Sequence, residues 1–305
     1  MSRSVANNQV NWKAAPEFSF TEHEIITKNG QRTDRTYRVL MIDGSPYNET
    51  IAIDGEPLSS AAQKREQAEL QRVTAKRNAE SPGARRQRIA KYERGRTQDH
   101  ELMAEMIAAF DFRMGGVETV NGRECYRVNA YPKPGYVPNS RDTKVLSGMK
   151  GTLWIDTKEY QWVRVEASVF RPVSFGLFIA HVEPGTAFEL DEAPVDSNIW
   201  EPTHFVTKVK ASILHFWSHN STDDESYSDY RREYPKQAGG GVLVAALRWN
   251  QCDAFSSLPL LPDTRFACSP KPGENSVFRS RWLPTAATCS TTRGETPLFR
   301  LSSTG

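Results

Sequence analysis

His215 and His219 stand four apart, the spacing that places two imidazoles on one face of a helix in a zinc motif. HFWSHN has no glutamate between them, however, and it continues a strand pattern. On a strand the pair would share one sheet face about 13 Å apart, too far to hold one ion. They read as surface histidines. Asp223, Asp224 and Glu225 offer oxygen ligands for calcium but lack the spaced loop of an EF-hand, so they read as a solvated strand end. Of the four cysteines, Cys125 lies in a strand-like segment and reads as a small buried hydrophobe, while Cys252, Cys268 and Cys289 show no metal-ligand spacing. No GxSxG elbow, P-loop or dinucleotide fingerprint is present. The residues therefore predict no catalytic centre, no metal and no cofactor. The basic run Arg85, Arg86, Arg88, Lys91, Arg94 and Arg96 has the charge to meet phosphates or anionic headgroups, but interleaved polar residues make it read as a solvated helix face.

What remains is apolar. Phe18, Phe20, Trp154, Trp162, Phe175, Phe178, Phe205, Phe216 and Trp217 exceed what one side of a flat sheet requires, and a concave sheet would use such a surplus to line a pocket. Leu102, Met103, Met106, Ile107 and Phe110 add one face of a helix. The expected lipid-contacting residues are Trp154, Trp162, Phe175, Phe178, Phe205, Trp217, Met103 and Met106. Ordinary core is the competing reading of the same residues. Burying an acyl chain is worth about 0.8 kcal/mol per CH₂, so such a groove could bind one without a charge or cofactor.

These side chains need elements to hold them. Between Phe18 and Asp54, three segments rich in β-branched and aromatic residues are separated by Asn29-Gly30 and Asp43-Gly44, which predicts an antiparallel meander. A polar helix follows from Ser59 and stops at Ser81-Pro82-Gly83; a second begins near Ala84. Strands resume at Phe112 with a hairpin about Asn121-Gly122, then a Pro-rich loop, then GTLWIDTKEYQWVRVEASVF, where Leu153 and Ile155 share one face and Val163, Val165, Ala167 and Val169 another. Val173 to Val182 reads as one strand apolar on both faces, HFVTKVKASILHFW as the last strong strand, and DDESYSDYR as a short edge strand. After Arg232 no period of 2 or 3.6 is held for long, so residues 233–305 are expected to be a disordered tail or a non-native reading frame.

Composition agrees with a globular β-rich domain. The 305 residues are 38% hydrophobic and 10% aromatic, enough for a sizeable core, and the formal charge of +2 excludes a global basic field for nucleic acid. The N-terminus lacks the order of a signal peptide, so the residues alone predict an unexported, soluble chain.

The order of elements resembles the lipoprotein-carrier superfamily of LolA/LolB-like half-barrels and bacterial outer-membrane lipoprotein-sorting proteins. NNQVNWKAAPEFSFTEHE looks like the end of that family's first helix entering its first strand, GTLWIDTKEYQWVRVEA like its recurring hairpin, and PVSFGLFIAHVEPGTAFEL and STDDESYSDYR like segments of uncharacterised members. The resemblance covers about Val5 to Arg231. It implies an α+β fold over residues 1–232, in which a strongly curved antiparallel sheet of about eleven strands wraps around helices. It further implies a periplasmic, non-catalytic protein of lipid or lipoprotein transport, with acyl chains and envelope membrane proteins as partners and no nucleic acid. Members begin with a signal peptide, so the given start is expected to be truncated. An envelope interaction module with a full core is the alternative expectation.

Overall fold

The computed structural model describes residues 1–140, 142–175, 180–213 and 217–233. Helix α1 (Ser2–Ala14) and a 3₁₀ turn (Ala15–Glu17) lead into β1 (Phe18–Lys28), β2 (Gln31–Ile42), β3 (Ser45–Ile53) and β4 (Glu56–Pro57). At the first two turns Asn29 and Asp43 take φ of 51° and Gly30 and Gly44 take 84°, the left-handed pair that a tight hairpin demands. Helices α2 (Ser60–Asn78) and α3 (Pro82–Ala109) come next. Each starts at a serine whose Oγ accepts a backbone N–H three residues on, from Ala62 at 3.3 Å for Ser59 and from Ala84 at 3.2 Å for Ser81. Pro82 sits in the first turn of α3, where its missing N–H leaves no bond unmade. The rest is β5 (Phe110–Val120), β6 (Arg123–Pro132), a 3₁₀ segment (Asp142–Gly148), β7 (Met149–Asp156), β8 (Trp162–Val169), β9 (Val173–Phe175), β10 (Ala180–Val182), β11 (Ala187–Asp196), β12 (Ile199–Ile213) and β13 (Trp217–Arg232).

The strands form one antiparallel sheet, ordered β4-β3-β2-β1-β13-β12-β11-β8-β7-β6-β5. That path holds eleven strands, and the hairpin β9–β10, attached to β12, brings the sheet to thirteen. Its two ends do not meet, so the fold is the open α+β half-barrel that the sequence suggests. Three local expectations are corrected. Val173 to Val182 is not one strand: Val173 pairs with Val182 and Phe175 with Ala180 across the hairpin. Each arm then needs less cover than a single strand buried on both faces. β12 ends at Ile213, so Trp217 belongs to β13. DDESYSDYR is no edge, because β13 lies between β1 and β12, and Asp224 finds a partner on β12. Asp224 Oδ1 is 2.9 Å from His204 Nε2, and the Tyr227 hydroxyl donates to Glu225. The tail expected at 233–305 lies outside the described residues, Glu233 apart.

Strand register decides which side chains share the inner face. Leu153 pairs with Val128 and Val165, and Leu190 with Val165 and Phe205. All five belong to a single apolar core that also takes Phe110, Trp162 and Val169. One strand further the chemistry changes: Phe205 pairs with Glu225, Glu225 with Glu24, and Tyr227 with Glu22. Glu22 and Glu225 are only 5% and 3% exposed. Arg35 faces Glu24 and Tyr37 faces Glu22 on β2. The inner face is therefore hydrocarbon from β5 to β12 and mixed from β13 to β2, where Glu22, Glu24 and Glu225 share it with Phe20 and Tyr227, whose rings pack 5.8 Å apart. Buried carboxylates persist there because they accept hydrogen bonds.

Helix α3 spans 28 residues, about 42 Å at ~1.5 Å per residue, enough to cross the sheet. Its start is pinned to the β2–β3 turn, where Arg88 donates to Asp43 O and Ser45 Oγ and pairs with Glu80 at 2.8 Å. Its middle meets α1: Arg96 donates to Trp12 O and lies 4.6 Å from the Trp12 ring centroid, and His100 stacks on the same ring at 4.5 Å. Its end enters the apolar core through Met103 and Met106, whereas Ile107, expected on the same stripe, is 39% exposed. Helix α1 is held by buried polar contacts. Trp162 Nε1 donates to Ser4 Oγ at 2.5 Å, and Asn11 donates to Gln161 Oε1 at 3.0 Å while accepting from the Trp200 backbone at 3.2 Å.

Candidate apolar binding cleft

The last turns of α3 place Met103 and Met106 over the hydrocarbon wing of the sheet. Beneath and beside them come Val145 and Leu146 from the 3₁₀ segment, Met149 from β7 and Val182 from β10. Thr186, Ala187, Phe188, Thr207 and Val209, from β11, β12 and the turn before β11, complete the lining. Two threonine side chains are the only hydrogen-bonding side chains in this lining. The site has no charge to position a reacting group, so what it offers is burial. The open space is about 40 Å³, little more than the roughly 30 Å³ that one water occupies in the liquid. A ligand-sized pocket is roughly tenfold larger. An acyl chain fits only if side chains move, and methionine is the residue that moves most cheaply, with three rotatable bonds and no branch.

The expected lipid-contacting residues divide. Met103 and Met106 line the cleft. Phe205 and Trp162 lie in the core behind it, 4% and 2% exposed. Trp154 lies on the opposite face, packed against the small cluster of Cys125, Val163 and Trp200, and its indole N–H donates to Glu118. Strand alternation explains this, since Trp154 sits between Leu153 and Ile155, both of which point inward. Phe178 lies outside the described residues, and Phe175 and Trp217 are described as backbone only, at the end of β9 and the start of β13. Val145, Leu146, Met149 and Phe188 were missed. The first two sit in a short 3₁₀ segment without a period; Phe188 could have been found by alternation with Leu190.

Two features lie outside the cleft. Glu192 on β11 and Glu201 on β12 are each 8% exposed, and Glu192 Oε2 and Glu201 Oε1 are buried without a hydrogen-bond partner. Burial pushes Glu192 up to about 8, and burial with the neighbouring Glu192 raises Glu201 well above the usual carboxylate range, while Arg96 pulls the other way. Tyr92 of α3, close to Glu201, is raised to about 12 by burial. The second feature involves the acids that the sequence offered as calcium ligands. Asp223 and Glu225 come together with Glu24, their oxygens within 4.8 Å of one another, while Asp224 pairs with His204 instead. Of the two spaced histidines, His215 lies outside the described residues.

No family model matches the chain, and no curated protein matches it. Among solved structures it is similar to a DUF1329 family protein from Desulfovibrio piger, at 11% identity over 78% of this chain and 92% of that one, with a TM-score of 0.30. It is similar also to a putative outer membrane lipoprotein-sorting protein domain from Vibrio parahaemolyticus, at 12% identity over 78% and 95%, TM-score 0.30. A LolA superfamily protein from Nitrosomonas europaea matches at 10% identity over 75% and 95%, TM-score 0.26.

Proposed function

We propose that the cleft beneath Met103 and Met106 takes an acyl chain of a lipid or lipoprotein, and that the protein is a non-catalytic carrier or sensor of such chains in the bacterial envelope. The observation that carries this reading is the lining itself: an apolar wall that includes Met103, Met106 and Met149, with two threonines and no charged group among the lining residues. Its periplasmic location rests on the sequence resemblance. Binding proceeds by burial, at about 0.8 kcal/mol per CH₂ withdrawn from water, offset by the cost of displacing the methionines.

The test is displacement of a fluorescent fatty acid. Saturable binding is expected, together with at least a tenfold loss in Met106→Glu that keeps its far-ultraviolet circular dichroism. A folded protein that binds no chain would leave the second reading, an interaction module with a full core. The small open volume, about 40 Å³, favours that alternative.

A further inference from the structure

The helical hairpin of α2 and the first half of α3 carries a charge that the rest of the chain does not. Between Ser60 and Thr97, eleven lysines and arginines stand against four carboxylates, a net +7 in a protein of net +2, which leaves −5 for everything else. The charges are also sorted by side. Lys64, Arg65, Arg72 and Lys76 of α2 are exposed and, at 100° per residue, fall within one arc of about 120°. The opposite side of α2 carries Leu70, Val73 and Arg77, all half-buried. Arg77 donates to the carbonyls of Ile42, Ser45 and Pro46, which fastens that side to the β2–β3 turn. The four carboxylates are only half-exposed, and three of them are engaged within the hairpin, Glu80 by Arg88, Glu69 by Arg72 and Glu93 by Arg96. Among the described residues, Lys64, Arg65, Lys76, Arg86 and Arg94 are exposed and make no ion pair.

We propose that this outer face of the α2–α3 hairpin docks the protein on an anionic lipid surface. Charge complementarity carries the proposal: a sheet of phosphates matches the exposed, unpaired cations of this segment, each attracted within a Debye length. The face holds no exposed aromatic side chain between Ser60 and Thr97 on which bases could stack, which argues against a single-stranded nucleic acid. It also lacks exposed large apolar residues, so attachment is electrostatic and reversible rather than by insertion. The position is useful, because the same α3 carries Met103 and Met106 at its other end. The docking does not depend on what the cleft binds.

Sedimentation with vesicles tests it on the full chain. Binding is expected to phosphatidylcholine vesicles containing phosphatidylglycerol, not to phosphatidylcholine alone, and to vanish as ionic strength approaches about 0.5 M. At roughly fivefold per cation, the triple variant K64Q/R65Q/K76Q should bind about a hundredfold more weakly. The charge-matched control K28Q/K158Q/K208Q, placed on other elements, should bind as the parent does. Equal loss in both triple variants, equal binding to the two kinds of vesicle, or binding to an oligonucleotide but to neither vesicle would each overturn the proposal. The fatty-acid assay on the same K64Q/R65Q/K76Q protein keeps the two readings separate, since its cleft is untouched.

Discussion

Phe205 and Glu225 are paired residues on adjacent strands, facing the same side of the same sheet, and they mark where one chemistry ends and another begins. On the Phe205 side, β5 to β12 present valines, leucines and aromatics that merge into a core with α3. On the Glu225 side, β13, β1 and β2 set Glu225, Glu24, Glu22 and Arg35 at paired positions among Phe20 and Tyr227, and the Tyr227 hydroxyl donates to Glu225. The lesson is that an inward-facing strand position need not be greasy. Hydrocarbon burial scales with area and tolerates repacking, whereas a buried acid persists only with its partners in place. The first wing can therefore yield space to a ligand; the second is fixed by its geometry.

Substitutions at this boundary should separate the wings. Phe205→Ala is expected to cost about 3–5 kcal/mol in urea unfolding, the usual toll of removing a buried ring and leaving a cavity. Glu225→Gln, its partner across the strands, should cost less, about 0.5–1.5 kcal/mol, because it perturbs the hydrogen bond from Tyr227 without opening a void. Equal losses at the two positions would dissolve the distinction between a packed wing and a bonded one.

A smaller effect concerns the seam near the hairpin of β11 and β12. Burial carries Glu192 to about 8 from an ordinary 4.5, so between those pH values the folded state holds a proton that the unfolded state has released. The contribution of Glu192 to stability is then full below about 4.5 and falls as pH rises towards 8, by roughly 1.4 kcal/mol per pH unit. Glu192→Gln keeps the shape and removes the titration, so its stability should decline less steeply over that range. A wild-type profile that climbs from pH 5 to pH 8 would contradict the burial of this acid. Most local of all, Ser81→Ala should cost about 1 kcal/mol by uncapping α3, and it should loosen the start of that helix without touching either wing. Hydrogen exchange would locate the change.

Part of this division could be read in the sequence and part could not. The Asn-Gly and Asp-Gly turns, the meander they close and the Met103/Met106 stripe follow from local rules, and the structure has them. The outward turn of Trp154 was also legible, because its neighbours Leu153 and Ile155 were already placed inward; a tally of aromatics ignored that alternation. The acids of β13 were not legible. A run such as DDES reads as a solvated edge until Glu24 and His204 appear beside it, and those neighbours lie about twenty or two hundred residues away in the chain. Glu192 and Glu201 were hidden for the same reason, since nothing local distinguishes a buried glutamate from an exposed one.

The six methionines offer the most direct measurement. Met103, Met106 and Met149 line the cleft, while Met41 lies on β2 in the other wing. With methyl-labelled methionine, titration by a long-chain fatty acid should shift the first three signals together, saturably, and leave Met41 where it was. If those three stay still while the acid binds, or if Met41 moves as far as they do, the ligand is not in the hydrocarbon wing and the account fails.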